Sequence, residues 1–150
     1  MDNFLIQAGY KMEFSEEQDA SKETGTWLAI GSGISSMEPA GNDEVDQTSY
    51  YDNGGMMSSD VIGGQEIFSF GGHRDYDDAF LNAVYNKIKH TRGTGRKGTL
   101  HIVYPDGAEL LGNCTIANIE GPGGEGNAKG EISFEIHING EPAITEPPLT

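Results

Sequence analysis

Cysteine is almost missing from this chain: Cys114 stands alone, so no intrachain disulfide can form, and synthesis in a reducing compartment fits. Cations are scarce too, with 9 lysines and arginines against 24 aspartates and glutamates in 150 residues, a formal net charge of −15. A balance of that sign repels nucleic acid rather than gripping it. No stretch approaches the ~20 apolar residues of a membrane span; apolar residues come in short groups between turn residues. The opening Met1-Asp2-Asn3-Phe4-Leu5 lacks the basic and apolar regions of a signal peptide, so no targeting segment is expected. A chain of this length buries roughly 70% of its extended surface on folding, so one core needs neither a disulfide nor a metal to hold it.

Glycine is plentiful, at 22 residues without a collagen period, which fits many tight turns between strands. Charge is unevenly placed. Residues 1–66 hold 13 acids and 2 lysines, residues 67–104 hold 3 acids and 6 bases, and residues 105–150 hold 8 acids and 1 lysine.

Residues 1–24 are polar and acidic, with Phe4-Leu5-Ile6 as an isolated apolar group, and read as an arm or an opening strand. Trp27-Leu28-Ala29-Ile30 is a short strand ending at Gly31-Ser32-Gly33. From Pro39 to Gly64 no periodicity is visible, and residues 39–64 read as one long loop. It carries the acids Asp43, Glu44 and Asp46, then Tyr50, Tyr51, Met56 and Met57, side chains that suit a surface covered by a partner. Glu66-Ile67-Phe68-Ser69-Phe70 alternates as a strand. Phe80, Val84 and Ile88, with Leu81 beside them, form one helical stripe, so a single helix is expected over about 76–90. Asp75 is its expected N-cap, Asp77 and Asp78 suit its positive end, Lys87, Lys89 and His90 suit its negative end, and Gly93 and Gly95 stop it. Three strands follow: Thr99–Tyr104, closed by the turn Pro105-Asp106-Gly107; Ala108–Glu120, with a bulge expected at Gly112; and Glu131–Ile138. In the last, Ile132, Phe134, Ile136 and Ile138 face one side while Glu131, Ser133, Glu135 and His137 face the other. Residues 141–150, with Pro147-Pro148, read as an extended, poorly ordered tail. Residues 1–150 thus make one mainly β domain with one flanking helix.

No motif carries chemistry. Gly93-Thr94-Gly95-Arg96-Lys97-Gly98 fits the dinucleotide spacing but follows a helix and precedes a strand, the reverse of the polarity a pyrophosphate needs. Gly121-Pro122-Gly123-Gly124-Glu125-Gly126 joins two strands and would set an acid against phosphate. The histidines at 73, 90, 101 and 137 show no zinc spacing, Asp75, Asp77 and Asp78 lack the calcium-loop pattern, and Cys114 sits where a buried thiol is expected. No cofactor and no metal is expected. Arg92, Arg96 and Lys97 form the compact basic cluster, which suits acid on a neighbouring subunit better than nucleic acid.

Residues 25–140 taken in order resemble the major tail (tail tube) proteins of long-tailed phages, especially the siphophage type. The resemblance runs through Trp27–Ile34, the acidic Asn42–Asp46, Tyr50–Gly55, Ser58–Gln65, the strand with Phe68 and Phe70, Gly72-His73-Arg74, the helix and the last three strands. It implies a β-sandwich or distorted barrel with one flanking helix, assembled in hexameric rings that stack into a tube in the virion, made in the host cytoplasm. Part of each sheet would join its neighbours in an electronegative lumen that passes DNA without binding it, and the long loop would reach the adjacent ring. Partners would be further copies of the chain and other tail proteins, such as tape measure, distal tail and terminator proteins. The residues fit independently: the acidic strand face suits a non-adhesive channel and the Tyr/Met segment a covered interface. The alternatives are the inner tube of a contractile or secretion-like apparatus, and a stand-alone β-sandwich binding module; an enzyme comes last.

Overall fold

Short apolar groups separated by turn residues fold here as a curled antiparallel main sheet with one helix against it and a separate two-stranded hairpin. The computed structural model describes residues 4–23 and 25–147, so the expectations that touch residues 1–3, Thr24 and residues 148–150 lie outside the described residues. The strands are β1 (Lys11–Ser15), β2 (Leu28–Ile30), β3 (Ile34–Ala40), β4 (Glu44–Ser49), β5 (Met57–Gly63) and β6 (Ile67–His73). Helix α1 (Ala79–Asn86) follows, then β7 (Lys97–Val103), β8 (Glu109–Gly123), β9 (Glu131–Ile138) and β10 (Ala143–Thr145). The main sheet has the order β2-β1-β7-β8-β9-β6-β3, with β10 also beside β8, while β4 and β5 form a separate two-stranded sheet.

Strands β2 and β3 sit at opposite ends of that order, yet only Gly31-Ser32-Gly33 separates them in sequence. The sheet must therefore curl until its ends approach, giving the distorted barrel expected of the resemblance. The closure is tight: a Cβ on Gly72 would lie 2.0 Å from the Gly33 carbonyl oxygen, so only glycine fits there. Inward-facing side chains alternate along the strands, and α1 lays Phe80, Leu81, Val84 and Tyr85 against them. The Phe80 ring, fully buried, meets Phe14 at 5.8 Å and Phe134 at 5.7 Å between centroids. Strand β9 alternates as expected, with Ile132, Phe134, Ile136 and Ile138 all buried.

Several boundaries differ from expectation. The helix spans 79–86 rather than 76–90, and Ile88–His90 continues as a separate 3-10 turn. Asp78, not Asp75, caps it, accepting from Leu81 N at 3.0 Å. Asp75 is occupied elsewhere, accepting from Ser32 Oγ and from Asp77 N. The helix ends at Asn86, well before Gly93 and Gly95. The bulges of β8 fall at Ala117–Glu120 and Glu120–Gly123, and the pairing stays regular at Gly112. Residues 39–64 are not a loop: Pro39 and Ala40 are the last two residues of an edge strand, and 44–63 is the β4–β5 hairpin. Neither face of this hairpin is dry, so its sequence carries no period-2 hydrophobic signal. The tail is not simply extended, since Ala143, Ile144 and Thr145 pair with Leu111, Leu110 and Glu109. Within residues 1–24, β1 is an internal strand between β2 and β7, so only the segment around Phe4, Leu5 and Ile6 stands out, exposed.

Candidate assembly surfaces

The outer face of the sheet divides in two. Over β1, β7 and the first half of β8 it is covered by residues 16–23, which cross it as a strap. Thr99 is the hub: its hydroxyl donates to the Glu17 carbonyl at 2.7 Å and accepts from Ala20 N at 3.1 Å. Asp19 and Asn113 exchange two hydrogen bonds, at 2.7 and 2.8 Å, and Lys22 meets Glu109 at 3.0 Å. Beneath the strap, His101 is buried with Nδ1 2.8 Å from Glu13 and Nε2 2.8 Å from Glu109, and Trp27 lies 5.9 Å from its ring. The Lys22 hydrogen bond, and then that of His101, hold the Glu109 carboxyl below its ordinary value. On the inner side Cys114 is fully buried and its thiol is pushed up to about 12 by that burial, which makes it inert.

Over β3, β6, β9 and the second half of β8 the same face is bare. Directly opposed residues share a face, so Glu38, Ser69 and Glu135 line up across three strands, with Ala117 beyond Glu135. Ser36, Gly71 and Ser133 form the next row, with Glu120 beyond. Glu131 opposes His73, and His137 opposes Ile67 and Thr115. Serine, glycine, alanine and acids make up the two central rows, which carry no lysine or arginine, while the flanking rows hold Ile67, His73 and His137, and Lys97 lies opposite Thr115 at the far end of the His137 row. Hydrogen bonds from His137 Nε2 at 2.9 Å and Asn118 Nδ2 at 2.7 Å hold Glu135 below the ordinary carboxylate value, so it stays ionised. Glu131, Ser133, Glu135 and His137 thus share one face, as the alternation predicted, though Ser133, Glu135 and His137 are half-buried rather than fully wet.

The hairpin is a third surface. It leaves the sheet where Gln65 N donates to the Gly41 carbonyl at 3.0 Å, and Asn42 Nδ2 donates to the Gln65 carbonyl at 3.1 Å. Its tip turns through Gly54 and Gly55, at φ 64° and 84°, a left-handed pair that favours glycine. Tyr50, Tyr51, Met56 and Met57 crowd this tip, all exposed. Val45 opposes Val61 and Ser49 opposes Met57 on one face. On the other, Asp46 opposes Asp60, and Glu44 follows two residues before Asp46. Asp43 lies just outside the hairpin and is exposed. Sequence reading missed Asp60, Val61 and Ile62, exposed members of the same hairpin; the turn-forming Asn-Gly-Gly between two β-compatible runs was the signal for it.

The basic cluster sits past the helix. Arg96 donates to the carbonyls of Thr91 at 2.9 Å and Lys89 at 3.0 Å, and Arg92 to that of Thr91 at 2.8 Å. Burial and the neighbouring Arg92 lower the Arg96 value. Lys89 Nζ donates to the Gly121 carbonyl at 2.7 Å, and Lys97 is exposed. Within the chain the cluster does not contact Asp43, Glu44 or Asp46 through any described ion pair. Among the described residues no helix is long and apolar enough to cross a membrane, and no group of three or more His, Cys, Asp or Glu is placed to hold a metal.

No protein-family model matches the sequence, and no curated protein matches it. Solved structures do share its fold. A chain from the tail of an empty gene transfer agent particle, resolved with C6 symmetry, matches with a TM-score of 0.67 at 14% identity, covering 95% of this chain and 100% of that one. A chain of the native gene transfer agent virion gives 0.68 at 14%, over the same shares. The sheath/tube terminator of an extracellular contractile injection system in the extended state gives 0.61 at 10%, covering 97% of this chain and 99% of that one.

Proposed function

We propose that this chain is the structural subunit of a tail tube, forming hexameric rings that stack around a channel for DNA. The hairpin carries the reading. A two-stranded hairpin alone is marginal in water, and this one is detached from the main sheet while exposing Val45, Tyr50, Tyr51, Met56, Met57, Val61 and Ile62. Apolar area of that extent calls for a covering partner, and in a tube the adjacent ring supplies it. The bare half of the outer face, with Glu131, Ser133, Glu135 and His137 at its centre, is the lumen candidate: the short side chains and acids of its central rows, with Lys97 only at the far end of the His137 row, give phosphates little to hold. The fold shared with particle tails supports the same reading, and the sixfold symmetry of one such tail supports the ring number. Tape measure, distal tail and terminator proteins are the partners this role calls for. The likeness to a contractile-system terminator favours a second reading, the inner tube of a sheathed apparatus, which a sheath-binding outer surface would distinguish.

Electron microscopy of the concentrated protein, with a variant in which 43–63 is replaced by a short Gly-Ser link between Asn42 and Gly64, tests the proposal. The wild-type chain should form tubes. The variant should stay a folded monomer, since Gly41 and Gln65 already meet at the hairpin root. Tubes of ordinary length from the variant, or a wild-type chain that stays dispersed at every concentration, would overturn the reading.

A further inference from the structure

We infer that the acidic face of the hairpin docks on the basic patch Lys89, Arg92, Arg96 and Lys97 of a second copy of this chain. The inference rests on the hairpin's role as an arm between subunits and names what the arm grips. Asp46 and Asp60 are directly opposed across β4 and β5, with Glu44 on the same face. Like charges directly opposite one another destabilise a strand pair, and among the described residues the only side-chain bond to either is from the Thr48 hydroxyl to Asp46, at 3.1 Å. That repulsion is relieved when a cation enters between the two carboxylates.

The patch has the matching property. Of the 9 lysines and arginines in the chain, Lys87, Lys89, Arg92, Arg96 and Lys97 fall within residues 87–97. Lys87 is paired with Glu16 at 2.6 Å. The other four form no described ion pair; Lys89, Arg92 and Arg96 are held instead by neutral backbone carbonyls. These bonds fix where the positive groups point and leave their charge uncompensated, in a protein whose net charge is −15. Preorganised cations lose little side-chain entropy on binding. A partner bearing opposed carboxylates is the complement, and the hairpin of another copy presents such a pair. The apolar tip supplies the buried area, while the charge pairing fixes orientation and register, so salt slows assembly without abolishing it.

Charge reversal on each side, and on both together, tests this by sedimentation velocity and electron microscopy. Asp46→Lys with Asp60→Lys reverses the arm and keeps the cross-strand repulsion unchanged in kind. Arg92→Glu with Lys97→Glu takes the patch from four positive charges to a net of zero and sets two acids against the arm; Lys97→Glu alone, at a side chain with no described internal bond, guards against a folding defect. Each double reversal should raise the concentration needed for assembly by about tenfold or more, since facing like charges are strongly disfavoured. The fourfold variant should recover most of that loss. Reversals that assemble like the wild type, or a fourfold variant worse than either double, would overturn the pairing alone. A wild-type chain that never assembles would overturn it together with the tube reading. If the patch reversal leaves assembly intact but removes a measurable affinity for duplex DNA, the patch serves nucleic acid and the pairing is wrong.

Discussion

The strap over residues 16–23 and the hairpin over 44–63 are both acidic excursions from one sheet, yet they end differently. The strap lies down because the sheet beneath offers partners: Thr99, Asn113 and Glu109 answer Glu17, Asp19, Ala20 and Lys22 group by group. The hairpin satisfies its backbone internally and, among the described residues, finds hydrogen-bond partners on the rest of the chain only at its root. Polar composition does not decide whether a segment packs; whether its donors and acceptors are matched does. The same division runs across the outer face, where the half under the strap is satisfied and the half around Glu135 is left open.

The largest effect should come from the core that both excursions share. Phe80→Ala should cost about 3–5 kcal/mol in denaturant melts, because the ring is fully buried between Phe14 and Phe134. A change under about 1 kcal/mol would mean that α1 does not anchor the sheet.

A direct contrast comes next. Thr99→Val leaves Ala20 N–H and the Glu17 carbonyl without their partner under the strap, a loss of about 1–3 kcal/mol. Tyr51→Ala at the exposed hairpin tip should change the stability of the dispersed subunit by less than about 0.5 kcal/mol. Equal costs at the two sites would erase the distinction between the segments.

A smaller effect concerns acid. The folded Glu109 value lies below its ordinary 4.5, so its contribution is present above that pH and is lost as pH falls through the lower folded value. Trp27 is the one tryptophan and sits beside His101 just past the strap, so its emission should move to the red over that acid window. Glu109→Gln should weaken the step; an unchanged step would place the acid response elsewhere.

How far the fold was legible follows from the same physics. Strand β9 and the Phe80–Val84–Ile88 stripe could be read because a dry face imposes a period on the sequence. The helix ends could not, because Asp75 and Asp78 are equally good caps until Ser32 claims the first. The hairpin was hidden for lack of a buried face, and the strap because its anchors are polar side chains distant in sequence, Thr99 and Asn113. The basic cluster was visible by position, but not that carbonyls of Lys89 and Thr91 hold its arginines in place.

Hydrogen exchange, run on dispersed and assembled protein side by side, tests the central claim most directly. In the dispersed subunit the amides of Asp19 and Ala20 should be protected while those of 44–63 exchange fast, since a lone hairpin opens readily. On assembly the hairpin amides should become protected and the strap should hardly change. Hairpin amides that are already protected in the dispersed subunit, or that still exchange fast in the assembled state, would contradict the account.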